Sequence, residues 1–460
     1  MSYRRLMLAA LAVPTFATPV TARAQQPAIL DPRPAAPAPA LTPAQIALVA
    51  KARALGATEV TTRPAPDGGI TLDGKLEGDQ FVVAFPEGWA GDALVYAHGY
   101  STPGTPIAVS ADPVGDKVGG GLIALAYKDG VAAGHSAYDK DGLGVETGTL
   151  NTKRLRDFLV KMGAHGVYAA GDSMGGGIVV TLLETYPGAF VGGLARCGVV
   201  DSWSTLLGQL YDMRAAYNYL TRDTPYAIPG NQDIRRSAIS SVPPAGFDGD
   251  PKAYGWAQLT KVVTPILALY SAAEKDSRGK EARIVAQVAA IGGFEVDPGS
   301  LAFPLLTAAL GADDMAATTG GQPYGNIGKV YASPTMTPTE AAALNNGIQR
   351  IAASPAALAY LTRWHEATGR ITDPLVTMHN RIDSLVPYAQ ETALKETVAK
   401  AGHSANLAEY PVAPLRAPLP VGGAQAYTHC GFTPDQTKAA WEALRGWVAT
   451  GKRPAADAVK

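Results

Sequence analysis

One pentapeptide in this chain has the residues and spacing for nucleophilic chemistry. Gly171-Asp172-Ser173-Met174-Gly175 is a G-x-S-x-G. In a chain with 50 glycines the pattern alone says little. Its setting says more. A strand-like run, residues 166–170, leads directly into it, and a helix-like run, 174–186, leads directly out. A strand that turns sharply into a helix at a serine strains that serine's backbone. It also lifts the hydroxyl to the carboxyl edge of a sheet, at a helix N-terminus. Only small residues two before and two after avoid a clash, and Gly171 and Gly175 supply them. The plainer reading, a glycine-rich turn with an ordinary serine, leaves that arrangement unexplained.

A serine hydroxyl is a poor nucleophile until a base takes its proton. The chain has seven histidines. His135 and His165 read as loop residues before the nucleophile, and His365 falls in a helix-like stretch. His403 precedes the final strand, at the wrong end of the sheet. His429 follows that strand and precedes the last helix, where a base can meet Ser173; the plainer reading is a solvated loop histidine. A base of this kind needs an acid to fix its tautomer and stabilise its cation. Asp383, in His379-Asn380-Arg381-Ile382-Asp383, sits just past a strand-like run at 374–378. Asp201, just past a run ending at Val200, competes with it. Asp383 is preferred, and either carboxylate could instead cap a helix.

A developing oxyanion needs fixed donors. The N–H of Met174 is one. The second is expected from the loop after residues 93–97, His98-Gly99-Tyr100, where Gly99 permits a close turn and the Tyr100 N–H donates. His98 is read as a structural hydrogen-bonding residue of that turn.

The elements around these residues alternate. Runs at 80–85, 93–97, 121–127, 166–170 and 190–200 read as strands, and 145–162 and 174–186 as helices. Such alternation implies an α/β fold: a mostly parallel sheet with helices on both faces. The next strand, at 374–378, comes about 170 residues after Val200, where a crossover needs roughly 30. The surplus is mainly helix-like, at 202–221, 256–273, 281–291, 301–310 and 339–368. It reads as a large helical cap inserted over the sheet's end. A last strand is expected at 405–412 and a last helix at 433–448.

The 460 residues carry 39 Lys and Arg against 40 Asp and Glu, which gives no electrostatic reason to bind nucleic acid or an anionic membrane. With 47% hydrophobic residues, global disorder is excluded. Arg4 and Arg5 precede an apolar run at 6–17, and Ala22-Arg23-Ala24 offers small residues where a signal peptidase reads. That run is too short to span a bilayer, and no later one is long enough. The expected organisation is a signal peptide at 1–24, a Pro-rich linker at 25–41 and the first part of the core at 42–200. A mainly helical cap at 201–370 and the second part of the core at 371–460 complete it. Thr42-Pro43 with Gln45 marks the first helix start. The product is expected to be secreted or periplasmic. There an even cysteine count, Cys197 and Cys430, favours one disulfide over two buried thiols. No CxxC or HExxH is present, so neither a metal nor a cofactor is expected.

Together the chain resembles the α/β-hydrolase superfamily. The resemblance covers roughly 75–200 and 370–450, and rests on HGY at 98–100, GDSMG at 171–175, HNRIDSLVP at 379–387 and His429 in THCGF. It implies an α/β-hydrolase fold with an eight-stranded type of sheet and an inserted cap, and a triad of Ser173, Asp383 and His429. It also implies that the strand carrying Cys197 neighbours the nucleophile strand, so that both cysteines share one sheet edge. The His429-Cys430 pair is similar to that of secreted tannases and feruloyl esterases, where a cysteine after the catalytic histidine bonds one just before the serine; here Asp172 holds that position. GDSMGG is similar to prolyl-oligopeptidase-like hydrolases, although no propeller repeat precedes it. The expected function is an exported serine hydrolase cleaving a small-molecule or polymer carboxylic ester. The alternatives are an amidase or peptidase with the same triad, or a non-catalytic periplasmic binding protein on this scaffold.

Overall fold

Thr42 starts the first helix as its sequence requires. Its hydroxyl accepts from the Gln45 N–H, the Gln45 side chain accepts from the Thr42 N–H, and Pro43 takes the first turn. The structure is a computed structural model that describes residues 40–460. The signal peptide expected at 1–24 and nearly all of the linker at 25–41 lie outside the described residues.

The elements run α1 (Pro43–Ala54), β1 (Thr58–Pro64), β2 (Ile70–Leu76), β3 (Asp79–Phe85), β4 (Asp92–Ala97), α2 (Leu122–Lys128), β5 (Ala132–Ser136), α3 (Val145–Met162), β6 (Gly166–Asp172), α4 (Met174–Thr185) and β7 (Gly192–Arg196). Then come α5 (Trp203–Thr221), α6 (Pro251–Lys275), α7 (Lys280–Gly292), α8 (Pro298–Thr319), α9 (Pro338–Gly347) and α10 (Pro355–His365). The chain returns through β8 (Leu375–Asn380), α11 (Ala389–Lys400), β9 (Leu407–Val412), the short pair β10 (Arg416–Pro418) and β11 (Gln425–Tyr427), and α12 (Pro434–Thr450).

One sheet has the order β1-β2-β3-β5-β4-β6-β7-β8-β9. β1, β2 and β3 pair antiparallel, as does β3 with β5, and every pair from β5 onward is parallel. From β2 to β9 this is the strand order of the α/β-hydrolase fold, and β1 adds an edge. The chain order reverses around β4, so the carboxyl ends of β4 and β6 flank a crevice. Side chains alternate across the sheet. Val95 and Ala169 face the apolar layer of α3 and α4, with Phe158, Leu159, Ile178 and Val179. Leu94, Tyr96 and Tyr168 face α2 and α12, with Ile123, Trp441 and Leu444. Burial on both faces explains why these strands read as continuous apolar runs. A separate apolar layer lies within the inserted helices, among Tyr217, Val262, Ile266, Val288, Leu301 and Leu305.

Three expectations need correction. Residues 121–127 are not a strand: they form α2, and the strand is β5, after Gly130. Leu122, Ile123, Ala126 and Tyr127 are the buried residues, a helical spacing on a run too short for periodicity to decide. His135 is therefore a buried strand residue, not a loop residue. The stretch 339–368 is two helices, because Pro355 begins a new first turn at α10.

Helix α8 is tied to the core near both ends. Asp297, its N-cap, is fully buried; it accepts from the Gly299 and Ser300 N–H groups, from the Tyr427 N–H at 3.1 Å and from Arg416 Nη2 at 2.9 Å. Near the other end, Asp314 accepts from the Leu143 N–H at 2.7 Å and from Lys140 Nζ at 2.9 Å. Removing a buried carboxylate with four donors leaves its three backbone N–H donors without an acceptor, while the half-exposed Arg416 turns to water. Asp297→Ala should lower unfolding free energy by about 3 kcal/mol in urea titration, the upper range for buried donors left unsatisfied. A loss no larger than an exposed cap gives, about 1 kcal/mol, would contradict the assignment.

Candidate active site

The crevice between β4 and β6 holds Ser173. Its backbone lies at φ 57° and ψ −122°, a region L-residues rarely occupy. The packing enforces this. A Cβ at Gly171 would sit 2.8 Å from the Ala97 carbonyl oxygen, and one at Gly175 would sit 2.9 Å from that of His98. Gly99 also packs against the elbow, less tightly: a Cβ there would come 3.3 Å from that of Ser173. The Ser173 N–H donates to the Arg196 carbonyl of β7 at 3.0 Å, pinning the elbow to the next strand. Met174 is the first residue of α4, so its N–H is one of those a helix leaves without an internal partner.

His429 reaches this serine. Its Nε2 lies 2.8 Å from Ser173 Oγ, and its Nδ1 lies 2.8 and 3.0 Å from the Asp383 carboxylate oxygens. Asp383 sits in the loop after β8 with its side chain fully buried. It accepts three backbone N–H groups as well, from Leu385 and Val386 at 2.8 Å and from Cys430 at 3.0 Å. Burial by itself would raise its pKa, but the charge and hydrogen bond of His429, the His379 charge and the Val386 N–H hold it below the usual carboxylate range. Asp201 is elsewhere: it accepts from Thr397 Oγ1 at 2.8 Å, and burial raises its pKa.

Among the histidines whose side chains are described, His429 alone is within hydrogen-bond distance of Ser173 Oγ. His98 is the turn residue expected, with Nδ1 2.8 Å from the Gly99 carbonyl and its ring stacked on Tyr138 at 3.8 Å. Burial lowers its pKa. His135 is buried without a hydrogen-bond partner among the described residues, and burial with the nearby His98 pulls its pKa down to about 4. His165 is exposed and His403 half-buried.

Cys197 and Cys430 form a disulfide with Cα atoms 5.3 Å apart. Cys197 follows β7, so the bond runs from the strand beside the one that ends at Ser173 to the residue after His429. Cys430 thus serves twice: its sulfur is tied to the sheet and its N–H holds Asp383. Asp172, the residue before Ser173, makes a bidentate ion pair with Arg196 Nε and Nη2, both at 2.7 Å. The two residues face each other across β6 and β7. Arg196 is buried, and also donates to Thr437 Oγ1 and the Gly119 carbonyl. This pair was missed in the sequence, although an arginine inside the apolar run GGLARCGVV demands a buried acid. Tyr100 packs its ring under α8: a Cβ at Gly311 would be 2.8 Å from its hydroxyl, whose pKa burial raises.

Asp383, His429 and Cys430 are also the one group of potential metal ligands among the described residues. The Cys430 sulfur is bonded to Cys197, and both His429 nitrogens face partners. These residues fit proton transfer, and a metal would have to displace it.

No family model and no curated protein matches the chain. Among solved structures it is similar to feruloyl esterase B from Aspergillus oryzae, at 14% identity over 88% of this chain and 91% of that one, with a TM-score of 0.42. It is also similar to Candida antarctica lipase A, at 14% identity over 90% and 86%, with a TM-score of 0.39. A third is the rice cell wall degrading esterase LipA from Xanthomonas oryzae, at 13% identity over 80% and 87%, with a TM-score of 0.37. The assignment of the fold rests on the strand order above.

Two measurements test this site. Asp383→Asn should leave the melting transition in place and cut the hydrolytic rate by orders of magnitude, about 10⁴ where such acids have been replaced. Asp201→Asn should cost far less, and the reverse ranking would move the acid to the earlier strand. The disulfide closes a loop spanning 233 residues, for which chain entropy allows roughly 5 kcal/mol. Cys197→Ser should therefore lower Tm, with turnover lost at temperatures below global unfolding; turnover that follows Tm would show no separate tethering of His429.

Proposed function

We propose that this α/β-hydrolase-fold protein is an exported serine hydrolase that cleaves a carboxylic ester. The observation that carries the reading is the line from Asp383 through His429 Nδ1 and Nε2 to Ser173 Oγ, at 2.8 Å in each step, on a strained strand-to-helix elbow. In the proposed reaction, His429 Nε2 takes the hydroxyl proton as Ser173 Oγ attacks the carbonyl carbon. The oxyanion forms in the crevice, facing the Met174 and Tyr100 N–H groups. His429 then gives its proton to the leaving alcohol. Water, activated by the same imidazole, releases the acid and restores Ser173. Asp383 stays ionised throughout and holds the imidazole in the tautomer with a proton on Nδ1.

The Cys197–Cys430 bond supports export, since disulfides persist in oxidising compartments. No helix among the described residues is long and apolar enough to cross a membrane. The inserted segment bearing α5 to α10 is assigned the role of shaping the pocket for a small-molecule or polymer ester. A fluorophosphonate probe should label the protein, and Ser173→Ala should abolish labelling. Nitrophenyl esters of graded acyl length should then be hydrolysed with a clear optimum. Labelling with no ester turnover, but with cleavage of the matching anilides, would shift the reading to an amidase. No labelling at all would leave a binding protein on a hydrolase scaffold.

A further inference from the structure

A second imidazole lies behind Asp383. His379 sits in β8 and is fully buried. Its Nδ1 is 3.2 Å from Glu391 Oε1 on α11, and its Nε2 is 2.9 Å from the Val386 carbonyl oxygen. Both neighbours only accept: one is a carboxylate, the other a carbonyl. A neutral imidazole has a single N–H, so one of the two contacts would set a lone pair against a lone pair. Val386 is also the residue whose N–H donates to Asp383 Oδ1 at 2.8 Å. The other Glu391 oxygen accepts from Thr377 Oγ1 at 2.6 Å, which fixes the carboxylate to β8.

We infer that His379 is a positioning residue, held as an imidazolium with both N–H groups donating, that fixes the Val386 peptide and through it the Asp383 carboxylate. The inference rests on Asp383 being the acid of the proposed reaction. The groups around His379 fit the charge. Glu391 faces it from α11 and Asp383 from the following loop. Tyr388 presents its ring edge-on at 5.9 Å. Glu409 of β9, paired with Lys395 at 3.0 Å, adds negative potential at Glu391. Lys395 and Arg381 are exposed, which leaves the imidazolium as the buried counter-charge to two carboxylates. Burial alone would remove the proton; the Glu391 hydrogen bond and charge, then Asp383 and the Val386 carbonyl, outweigh it and raise the pKa. His98 also faces two acceptors, but both are carbonyls and burial lowers its pKa, so it is the Glu391 charge beside His379, added to the pair of acceptors, that favours the second proton there. Because the folded pKa of His379 is raised, its contribution is complete below the unfolded value of about 6.5 and disappears as pH climbs through the folded one.

The test is a ring-nitrogen NMR titration of the whole mature protein with labelled histidine. His379→Gln identifies the resonance by its loss. That resonance should show both nitrogens protonated and titrate above about 6.5, the ordinary imidazole value. His379→Gln should also lower kcat roughly 10- to 100-fold at unchanged KM, the cost of displacing a catalytic group by about 1 Å. If that variant does not fold, Glu391→Gln serves in its place, and should move one histidine midpoint downward. A His379 midpoint at or below the ordinary value, a His379→Gln enzyme with parental kcat, or midpoints unmoved by Glu391→Gln would overturn the inference. The titration does not depend on turnover. A protein that hydrolyses nothing, yet carries a high-titrating His379, would fail the proposed reaction while keeping the imidazolium.

Discussion

The backbone of Ser173 is the constraint on which the site depends. A residue held at φ 57° and ψ −122° costs on the order of 1–3 kcal/mol, and persists only where its surroundings over-determine it. Here they do. Gly171 and Gly175 let β6 and α4 press against the end of β4, where any side chain would collide with the Ala97 or His98 carbonyl. The next strand grips the elbow twice, once through the Ser173 N–H on the Arg196 carbonyl and once through the Asp172–Arg196 ion pair. The apolar layers on both sides of β6 leave it no room to relax.

The second half of the site is built on loops, and loops need tethers. His429 follows the short β10–β11 pair, outside the main sheet. Three bonds compensate: the disulfide to Cys197, the Cys430 N–H on Asp383, and the Asp383 carboxylate on His429 itself. The partner of Cys430 lies just past the adjacent strand, and the residue before Ser173 holds an ion pair instead.

Much of this was legible in the residues. The elbow, the order Ser173, Asp383, His429, the turn at Gly99 and the disulfide each follow from local chemistry or from an element order that alternation reveals. What stayed hidden depends on pairings between distant segments. The run at 121–127 offered the same apolar residues to a helix as to a strand, and only the burial of Leu122, Ile123, Ala126 and Tyr127 on one side decides. Arg196 and Asp172 announce a buried charge, but the register of β6 against β7 had to be known to join them. His379 opens the motif at 379–387, and its partner Glu391 comes from a helix whose packing no spacing rule supplies.

Helix α8 couples the two loops that flank Ser173. Its N-terminus is bound to Tyr427, two residues before His429, and its later turns to Leu143 and to the ring of Tyr100. Swinging this helix away would part the buried Asp297 carboxylate from Tyr427 and Arg416 and disturb the His429 loop and the Tyr100 turn together. The two loops that meet at Ser173 therefore share one support, and loosening this helix at either end would be felt by both.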